Sequence, residues 1–288
     1  MTALLEVREL DLFLSIDGEP RSILRGVSFD IAAGESLGLV GESGSGKSMT
    51  ARAVTGMLPK GATTSGDIRF EGADLGAHDK RALAEHRRRT VALIPQDPRA
   101  SINPVHTVGD FLTEPLRVLD GFGASEAEER AVASLKDVGI ADGQRRLQQY
   151  PHELSGGLLQ RVMICAALLS NARLIVADEP TTALDVTTQS EVMAILDELR
   201  TNRQLSLLFI THDLELAAAV CDRIAVMYAG EIVEIQRAEL LEERPRHPYT
   251  HGLLLARPSI DAVTYPLPSI PGRTIGSHAA GDRRAATR

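Results

Sequence analysis

Short segments that are almost continuously apolar recur along the chain, and each is followed by polar residues. Segments of this kind are typical of β-strands buried on both faces of a sheet. We expect strands at 36–40 (SLGLV), 90–94 (TVALI), 173–178 (RLIVAD) and 206–213 (SLLFITHD). Helical stretches separate most of them. The pattern therefore predicts an α/β core in which the strand ends carry the chemistry.

Two other patterns accompany this core. Apolar and polar residues tend to alternate over 4–14 and 27–31, which predicts antiparallel strands with one wet face. Charged and proline-containing segments with helical spacing follow Gln96 and predict a mostly helical insertion at about 97–158. From about Pro258 the chain is rich in Pro, Gly, Arg and Ala, so we expect 258–288 to be an extension whose last part is disordered.

Composition narrows the possible functions. The chain has 288 residues and is 43% hydrophobic, which supports a substantial core. A net charge of −8, 3% aromatic residues and no tryptophan argue against a nucleic-acid partner. Cys165 and Cys221 lie in apolar surroundings, which predicts buried thiols in a reducing cytosol rather than a disulfide or metal pair. Neither a signal peptide nor a span of roughly 20 apolar residues is visible, so we expect any work at a membrane to need another anchor.

The segment GESGSGKS, at 41–48, fits the phosphate-binding pattern GxxxxGK(S/T) and lies between a buried strand and a helical run. Its glycines let backbone N–H groups converge on phosphate oxygens at the positive end of the helix. Lys47 would bridge the β- and γ-phosphates, and Ser48 would bind Mg²⁺. The alternative is a glycine-rich turn with a solvated lysine. The candidate phosphate-binding residues are Gly41, Glu42, Ser43, Gly44, Ser45, Gly46, Lys47 and Ser48.

Asp178 and Glu179 stand side by side where a buried strand meets a polar loop. Neighbouring carboxylates repel each other unless a cation lies nearby. Beside a triphosphate, Asp178 can hold the water shell of the metal while Glu179 polarises the attacking water. The alternative is a strand-end pair that faces solvent.

The segment PHELSGGLLQR, at 151–161, places two adjacent glycines at the start of a helix. Together with the glycine loop and the acidic pair, it resembles the motif set of ABC ATPases. Gln96 resembles the Q-loop glutamine and His212 the switch histidine of that family. Ser155, Gly156 and Gly157 resemble its signature, and Ala183, Leu184 and Asp185 its D-loop.

The resemblance covers roughly 4–257 and implies a P-loop NTPase (RecA-like) core with an antiparallel β subdomain and a helical insertion. It implies that ATP and Mg²⁺ are bound, with Ser48, Gln96 and Asp178 around the metal, Asp178 through water. It implies catalytic roles for Glu179, His212 and Gln96. In this family the signature faces the γ-phosphate held by a second subunit. Ser155 and the N–H groups of the two glycines would then form an anion site for the partner's nucleotide.

Two positions depart from the family pattern. Leu158 follows the signature glycines where the general family has glutamine; the oligopeptide and dipeptide branch commonly has an apolar residue there. Leu14 stands where the family stacks an aromatic ring on adenine. The adjacent Phe13 points to the opposite face of the strand, so we expect adenine to be held weakly.

Several segments resemble the oligopeptide, dipeptide and nickel importer branch in particular: GESGSGKS, PQDPRASINP, YPHELSGG, ADEPTTALDV, VMYAGEIVE and RHPYTHGLL. The branch implies two permease subunits, an extracytoplasmic solute-binding protein and a second ATPase subunit, identical or a sister chain. It implies a peripheral position on the cytoplasmic face of the membrane, with the DPRASINP segment as a contact to the permease. Because no cysteine follows Cys221, we expect no iron-sulfur cluster, and we interpret His247, His251 and His278 as surface or packing residues.

The cargo stays open between peptides, nickel and a metal chelate. Two rival hypotheses remain beside the importer ATPase. A soluble ABC protein of repair or translation would usually carry two cassettes, coiled-coil insertions or basic surfaces. A catalytically silent subunit would be expected to lack Glu179, His212 or Ser155, and all of these are present.

Overall fold

A computed structural model describes residues 3–182 and 184–255 of the chain. The strands are β1 (Ala3–Ile16), β2 (Glu19–Ala32), β3 (Ser36–Val40), β4 (Thr63–Phe70), β5 (Ala73–Asp74), β6 (Val91–Ile94), β7 (Leu174–Asp178), β8 (Ser206–Thr211), β9 (Arg223–Tyr228) and β10 (Glu231–Arg237). The helices are α1 (Lys47–Val54), α2 (Lys80–Arg89), α3 (Pro98–Ser101), α4 (Val108–Val118), α5 (Ala124–Asp137), α6 (Gly143–Leu147), α7 (Gly156–Leu169), α8 (Val186–Arg203), α9 (Leu214–Val220), α10 (Ala238–Glu243) and α11 (Pro248–Leu255). These elements fall into two units, a first unit of residues 3–83 and 208–255 and a second unit of residues 84–207.

The first unit contains an antiparallel sheet in the order β2-β1-β4-β5. Apolar residues of β1 and β2 pair across it, as Leu12 with Leu24, and both of these side chains are buried. The predicted alternation over 4–14 and 27–31 lies within these two strands. One face of the sheet is therefore apolar and covered.

A second group of strands in the first unit has the order β10-β9-β3-β8. β3 is buried at all five residues and runs parallel to β9, whereas β9 and β10 are antiparallel. A Cβ on Gly38 of β3 would lie 3.2 Å from the Cβ of Ala217 and 3.3 Å from the Sγ of Cys221. The glycine therefore lets α9 pack closely on β3, the strand that leads into the phosphate-binding loop.

The second unit joins a parallel β6–β7 pair to a group of helices. α7 packs against α3, α4, α5, α8 and β6. A capping box starts α4, in which Thr107 and Asp110 each accept from the other's backbone N–H. Hydrogen bonds from Thr107 hold the pKa of Asp110 below its ordinary value. Buried leucines, among them Leu112, Leu135 and Leu159, form the apolar centre of the helices.

The expected buried strands are all found, with ends that differ by at most two residues. β8, for example, ends at Thr211 rather than at Asp213. Helices α3 to α6 occupy much of the segment expected to be helical. Cys165 and Cys221 are both buried thiols, as predicted, and burial raises the pKa of Cys165 to about 12. The predicted extension, including His278, lies outside the described residues. Across the described part of the chain, no helix combines the length and the hydropathy needed to span a membrane.

Candidate nucleotide site

The glycine-rich loop of the first unit connects β3 to α1. Two of its glycines have left-handed backbone angles, Gly44 with φ +80° and Gly46 with φ +112°. The Lys47 side chain is buried at 4% exposure and folds back over the loop. Its ammonium donates to the carbonyl oxygens of Gly41, at 2.8 Å, and Glu42, at 2.9 Å. The ammonium is thus held against the loop by the loop's own backbone.

Close packing explains why two loop positions must be glycine. A Cβ on Gly41 would overlap the carbonyl oxygen of Met227, in β9. A Cβ on Gly46 would lie 2.8 Å from Leu24 and 2.9 Å from the methyl group of Met227. Glycine at these places brings the backbone against β2 and β9. A loop of this shape that opens a helix presents backbone N–H groups and suits a bound phosphate.

His212 lies in the first unit, between the end of β8 and the start of α9. The neighbouring Asp213 caps α9 by accepting from the N–H of Leu216 at 3.1 Å. Its own N–H donates to the hydroxyl of Thr211 at 3.0 Å. These two bonds fix the turn that presents His212, whose side chain is exposed.

In the second unit, Gln96 and Glu179 meet although 83 positions separate them in the sequence. The amide nitrogen of Gln96 donates to Glu179 Oε2 at 3.1 Å. The hydroxyl of Thr182 donates to the same oxygen at 2.8 Å. Glu179 itself has φ +46°, a left-handed conformation that a non-glycine residue adopts at a cost. Asp178 is the last residue of β7. Glu179, the residue directly after β7, therefore has a carboxylate that two hydrogen-bond donors hold in place.

The signature segment starts α7 in the second unit. Ser155 is the N-cap, and its hydroxyl oxygen accepts from the N–H of Leu158 at 3.3 Å. Gly156 and Gly157 occupy the first turn, where backbone N–H groups have no partner within the helix. A Cβ on Gly157 would overlap the methyl group of Thr188 in α8. The second glycine therefore has a packing role in addition to the anion role that the sequence suggested.

Asp185 precedes α8 and caps it. Its two carboxylate oxygens accept from the N–H of Thr188 at 3.0 Å and from the hydroxyl of Thr188 at 2.8 Å. These bonds hold the pKa of Asp185 below its ordinary value. Leu184 lies 3.7 Å from a Cβ placed on Gly156, so the signature and the D-loop segment are neighbours. Ala183, the other residue of the predicted D-loop, lies outside the described residues.

The departure at Leu14 is visible in β1. Leu12 is fully buried opposite Leu24, which contacts Gly46 of the loop. Leu14 shares the face of Leu12 by strand alternation, whereas Phe13 is 37% exposed on the other face. Leu14, which is apolar but not aromatic, therefore lies on this face of β1.

Local sequence patterns did not indicate two residues that contact these motifs: Thr182, which donates to Glu179, and Thr188, whose methyl group lies against Gly157 at the start of α7. Nor did they indicate that Tyr249, which packs on Tyr228, lies near Glu42 of the loop. Tyr249 belongs to the RHPYTHGLL segment, whose sequence indicates only a resemblance to one importer branch. Its proximity to the loop is a tertiary contact, for which the local sequence carries no signal.

Comparison with known proteins shows the family of the chain. Residues 24–182 match the model of the ABC transporter family. The oligopeptide transport ATP-binding protein OppD of Bacillus subtilis (strain 168) is 43% identical over 275 residues, which are 94% of this chain and 77% of that protein. The dipeptide transport ATP-binding protein DppD of Haemophilus influenzae is 42% identical over 277 residues, 96% of this chain and 84% of that protein.

A solved structure of a dimeric ATP-binding cassette in a post-hydrolysis state, bound to ADP and Pi, aligns with a TM-score of 0.73. It is 26% identical in sequence, and the alignment covers 81% of this chain and 98% of that one. The fold is therefore that of an ABC ATPase cassette, as the motif order predicted. With a family match over more than half of its length and relatives that are similar over nearly all of it, this chain belongs to the ABC transporter family.

Proposed function

We propose that the chain is the ATP-hydrolysing subunit of an ABC importer that takes up peptides or a related small solute. The observation that carries this proposal is the hydrogen bond from Gln96 to Glu179. The bond joins the carboxylate of Glu179, the proposed general base, to Gln96, the residue before the segment that we propose contacts the permease. A movement of that segment would change the position of the base, which gives transport a route to control hydrolysis.

The nucleotide roles follow from the chemistry of each group. The loop Gly41–Ser48 would hold the phosphates through its N–H groups, with Lys47 on the β- and γ-oxygens. Glu179 would accept a proton from the attacking water, and His212 would assist at the γ-phosphate. The two donors on Glu179 Oε2 keep that side chain oriented before nucleotide arrives.

The residues assigned to the metal fit Mg²⁺. Ser48, Gln96 and Asp178 offer hydroxyl, amide and carboxylate oxygens, the hard donors that Mg²⁺ prefers. The Gln96 amide nitrogen is bonded to Glu179, so its oxygen is the end suited to a cation. An ion held by such groups would neutralise charge on the phosphate oxygens.

We infer that a second ATPase subunit, identical or a sister chain, completes each nucleotide site. The first turn of α7 supports this, since Ser155, Gly156 and Gly157 present a helix N-terminus to an anion. Hydrolysis would then need a head-to-tail pair with ATP between the P-loop of one subunit and the signature of the other. The similar cassette bound to ADP and Pi is described as dimeric.

The remaining partners would be two permease subunits and an extracytoplasmic solute-binding protein. The oligopeptide and dipeptide transport proteins among the relatives support a peptide as cargo. Residues 4–257 would form the ABC ATPase domain, with the helical subdomain at about 97–158 facing the permease from the cytoplasmic side. Asp97 caps α3 there, and Val105 is 73% exposed.

Copurification from detergent-solubilised membranes tests this proposal. We expect two integral membrane subunits to copurify, and we expect an oligopeptide with its binding protein to stimulate ATP hydrolysis. The Lys47→Met variant should copurify equally well but hydrolyse no ATP. Recovery of the chain without membrane subunits would contradict the importer assignment and favour a soluble ABC ATPase.

A further inference from the structure

Three hairpins of the first unit close with two-residue turns, Asp17–Gly18, Glu71–Gly72 and Ala229–Gly230. In each turn both residues have positive φ, between +47° and +89°, as is usual for such short hairpin turns. A Cβ on Gly18 or on Gly72 would meet nothing within 4 Å, whereas Gly230 is buried. The third turn therefore differs from the other two in what it contacts and not in its backbone.

Gly230 joins the phosphate-binding loop to β2 through its two backbone polar groups. Its N–H donates to the carbonyl oxygen of Ser45 at 2.9 Å, and its carbonyl oxygen accepts from the N–H of Arg25 at 2.9 Å. A Cβ at this position would lie 2.6 Å from the carbonyl oxygen of Ile23. The close approach that forms both bonds therefore requires glycine.

The bond from Gly230 fixes one peptide group of the loop. The carbonyl of Ser45 and the N–H of Gly46 belong to the same peptide group, and in a trans peptide they point in opposite directions. Because Gly230 holds the carbonyl, the Gly46 N–H is directed away from the turn. Gly46 is the N-cap of α1, so this N–H lies at the helix end that suits a bound phosphate.

The position of Ser45 makes this bond difficult to replace. Ser45 is 3% exposed, so solvent has little access to it. A buried carbonyl that loses its donor is destabilising, and the loop would have to shift to find another. The strand that leads into the turn also supports the loop, since a Cβ on Gly41 would overlap the carbonyl oxygen of Met227. The β9–β10 hairpin therefore holds the loop at two places.

We propose that Gly230 is a positioning residue for nucleotide binding, because its N–H holds the Ser45–Gly46 peptide group and so directs the Gly46 N–H toward phosphate. The inference rests on the proposed function, in which the loop Gly41–Ser48 binds the phosphates of ATP. A donor that is oriented in advance loses less conformational freedom when phosphate binds. The coupling is reciprocal, so bound nucleotide strengthens the bond between Gly230 and Ser45.

The first test is the affinity for a non-hydrolysable ATP analogue with Mg²⁺, measured by calorimetry on the full chain. Gly230→Ala adds a methyl group that displaces the turn from β2, and we expect the affinity to fall about 2- to 10-fold, the range of one neutral hydrogen bond. Gly72→Ala is the matched control, because it places the same side chain at φ +82° in a turn of the same kind that faces open space. It should lower the melting temperature and leave the affinity unchanged.

Hydrogen exchange on the wild-type protein is the second test, and it does not depend on the folding of a variant. We expect the analogue to slow exchange of the Gly230 N–H more than that of the Ala238 N–H. The Ala238 N–H donates to the carbonyl oxygen of Asp222 at 3.1 Å, at the other end of the β9–β10 hairpin. If nucleotide only stabilised the fold as a whole, both amides would slow equally.

Three results overturn the inference: wild-type affinity in Gly230→Ala, an equal loss of affinity in Gly72→Ala, or equal slowing of exchange at Gly230 and Ala238. If Gly230→Ala does not fold, the exchange measurement alone decides. Failure of the wild-type protein to bind the analogue would instead refute the proposed nucleotide site, and the inference with it.

Discussion

At the scale of single residues, Glu179 of the second unit is constrained in both its backbone and its side chain. Its backbone is left-handed at φ +46°, and one carboxylate oxygen receives both the Gln96 amide and the Thr182 hydroxyl. Backbone strain of this kind costs of order 1–3 kcal/mol and persists where the surrounding structure enforces it. Such strain is expected where the orientation of the Glu179 carboxylate serves function rather than the stability of the fold.

Replacing Glu179 with Gln should abolish steady ATP hydrolysis while preserving ATP binding. The amide has nearly the shape of the carboxylate but accepts no proton, and general-base catalysis typically contributes about 10² to 10⁴ in rate. We expect an ATP-bound dimer to accumulate, which size-exclusion chromatography with ATP would detect. Glu198→Gln, on the exposed face of α8, is the control and should hydrolyse ATP normally. Turnover near wild type in Glu179→Gln would refute the general-base assignment.

At the scale of elements, two contacts define how helices are held. The first is the seam between α7 and α8, where Gly157 leaves room for the methyl group of Thr188. The second is the attachment of α11 to β10, where the buried Glu234 carboxylate accepts from the N–H groups of Arg246 and His247. A larger residue at Gly157 would push α7 and α8 apart. Loss of the Glu234 carboxylate would release the start of α11 from β10.

Gly157→Ala should destabilise the second unit by overpacking, at a typical cost of about 1–3 kcal/mol. Thr188→Ser removes the obstructing methyl group and keeps the hydroxyl that donates to Asp185. The double variant should therefore recover most of the lost melting temperature, as measured by calorimetry. If Thr188→Ser gives no recovery, the methyl contact is not the cause of the glycine requirement.

Glu234 should make a pH-dependent contribution to stability. Burial would raise its pKa, but hydrogen bonds from Thr250 and from the N–H groups of Arg246 and His247 outweigh burial and lower the pKa in the folded state from the ordinary 4.5. The contribution is therefore present above that value and is lost as pH falls through the folded pKa. Glu234→Gln should lower the melting temperature at neutral pH, because one backbone N–H would then face an amide donor. The difference from wild type should shrink in acid.

Glu243→Gln, at an exposed position of α10, changes a carboxylate without these bonds and serves as the control. It should leave the pH profile of the melting temperature unchanged. A constant difference between wild type and Glu234→Gln from neutral pH to about pH 4 would show that the Glu234 charge is not the stabilising feature.

At the scale of the whole molecule, the sequence predicts elements better than contacts. β3, β6, β7 and β8 were predictable because strands buried on both faces are continuously apolar. β4 was not predicted, because Thr63–Phe70 is mostly polar and its place in the sheet comes from pairing with β1. α2 was missed for a similar reason, since Lys80–Arg89 is dominated by charged residues.

The candidate site shows the same division. Lys47, Glu179 and Ser155 could be located next to a strand or helix end because each belongs to a motif with fixed spacing. The hydrogen bond from Gln96 to Glu179, the contact of Gly157 with Thr188 and the packing of Tyr249 near Glu42 could not be predicted. They join positions far apart in the chain, and only the folded backbone brings them together.

The central claim is that each nucleotide site is completed by the signature of a second subunit, and mixing two inactive variants tests it most directly. Lys47→Met disables a P-loop, and Ser155→Arg blocks the signature that a subunit lends to its partner. In a mixed dimer, the Ser155→Arg subunit's intact P-loop meets the intact signature of the Lys47→Met subunit. We predict that the mixture hydrolyses ATP although neither variant does so alone. No gain in hydrolysis, in a sample where native mass spectrometry detects mixed dimers, would contradict the account.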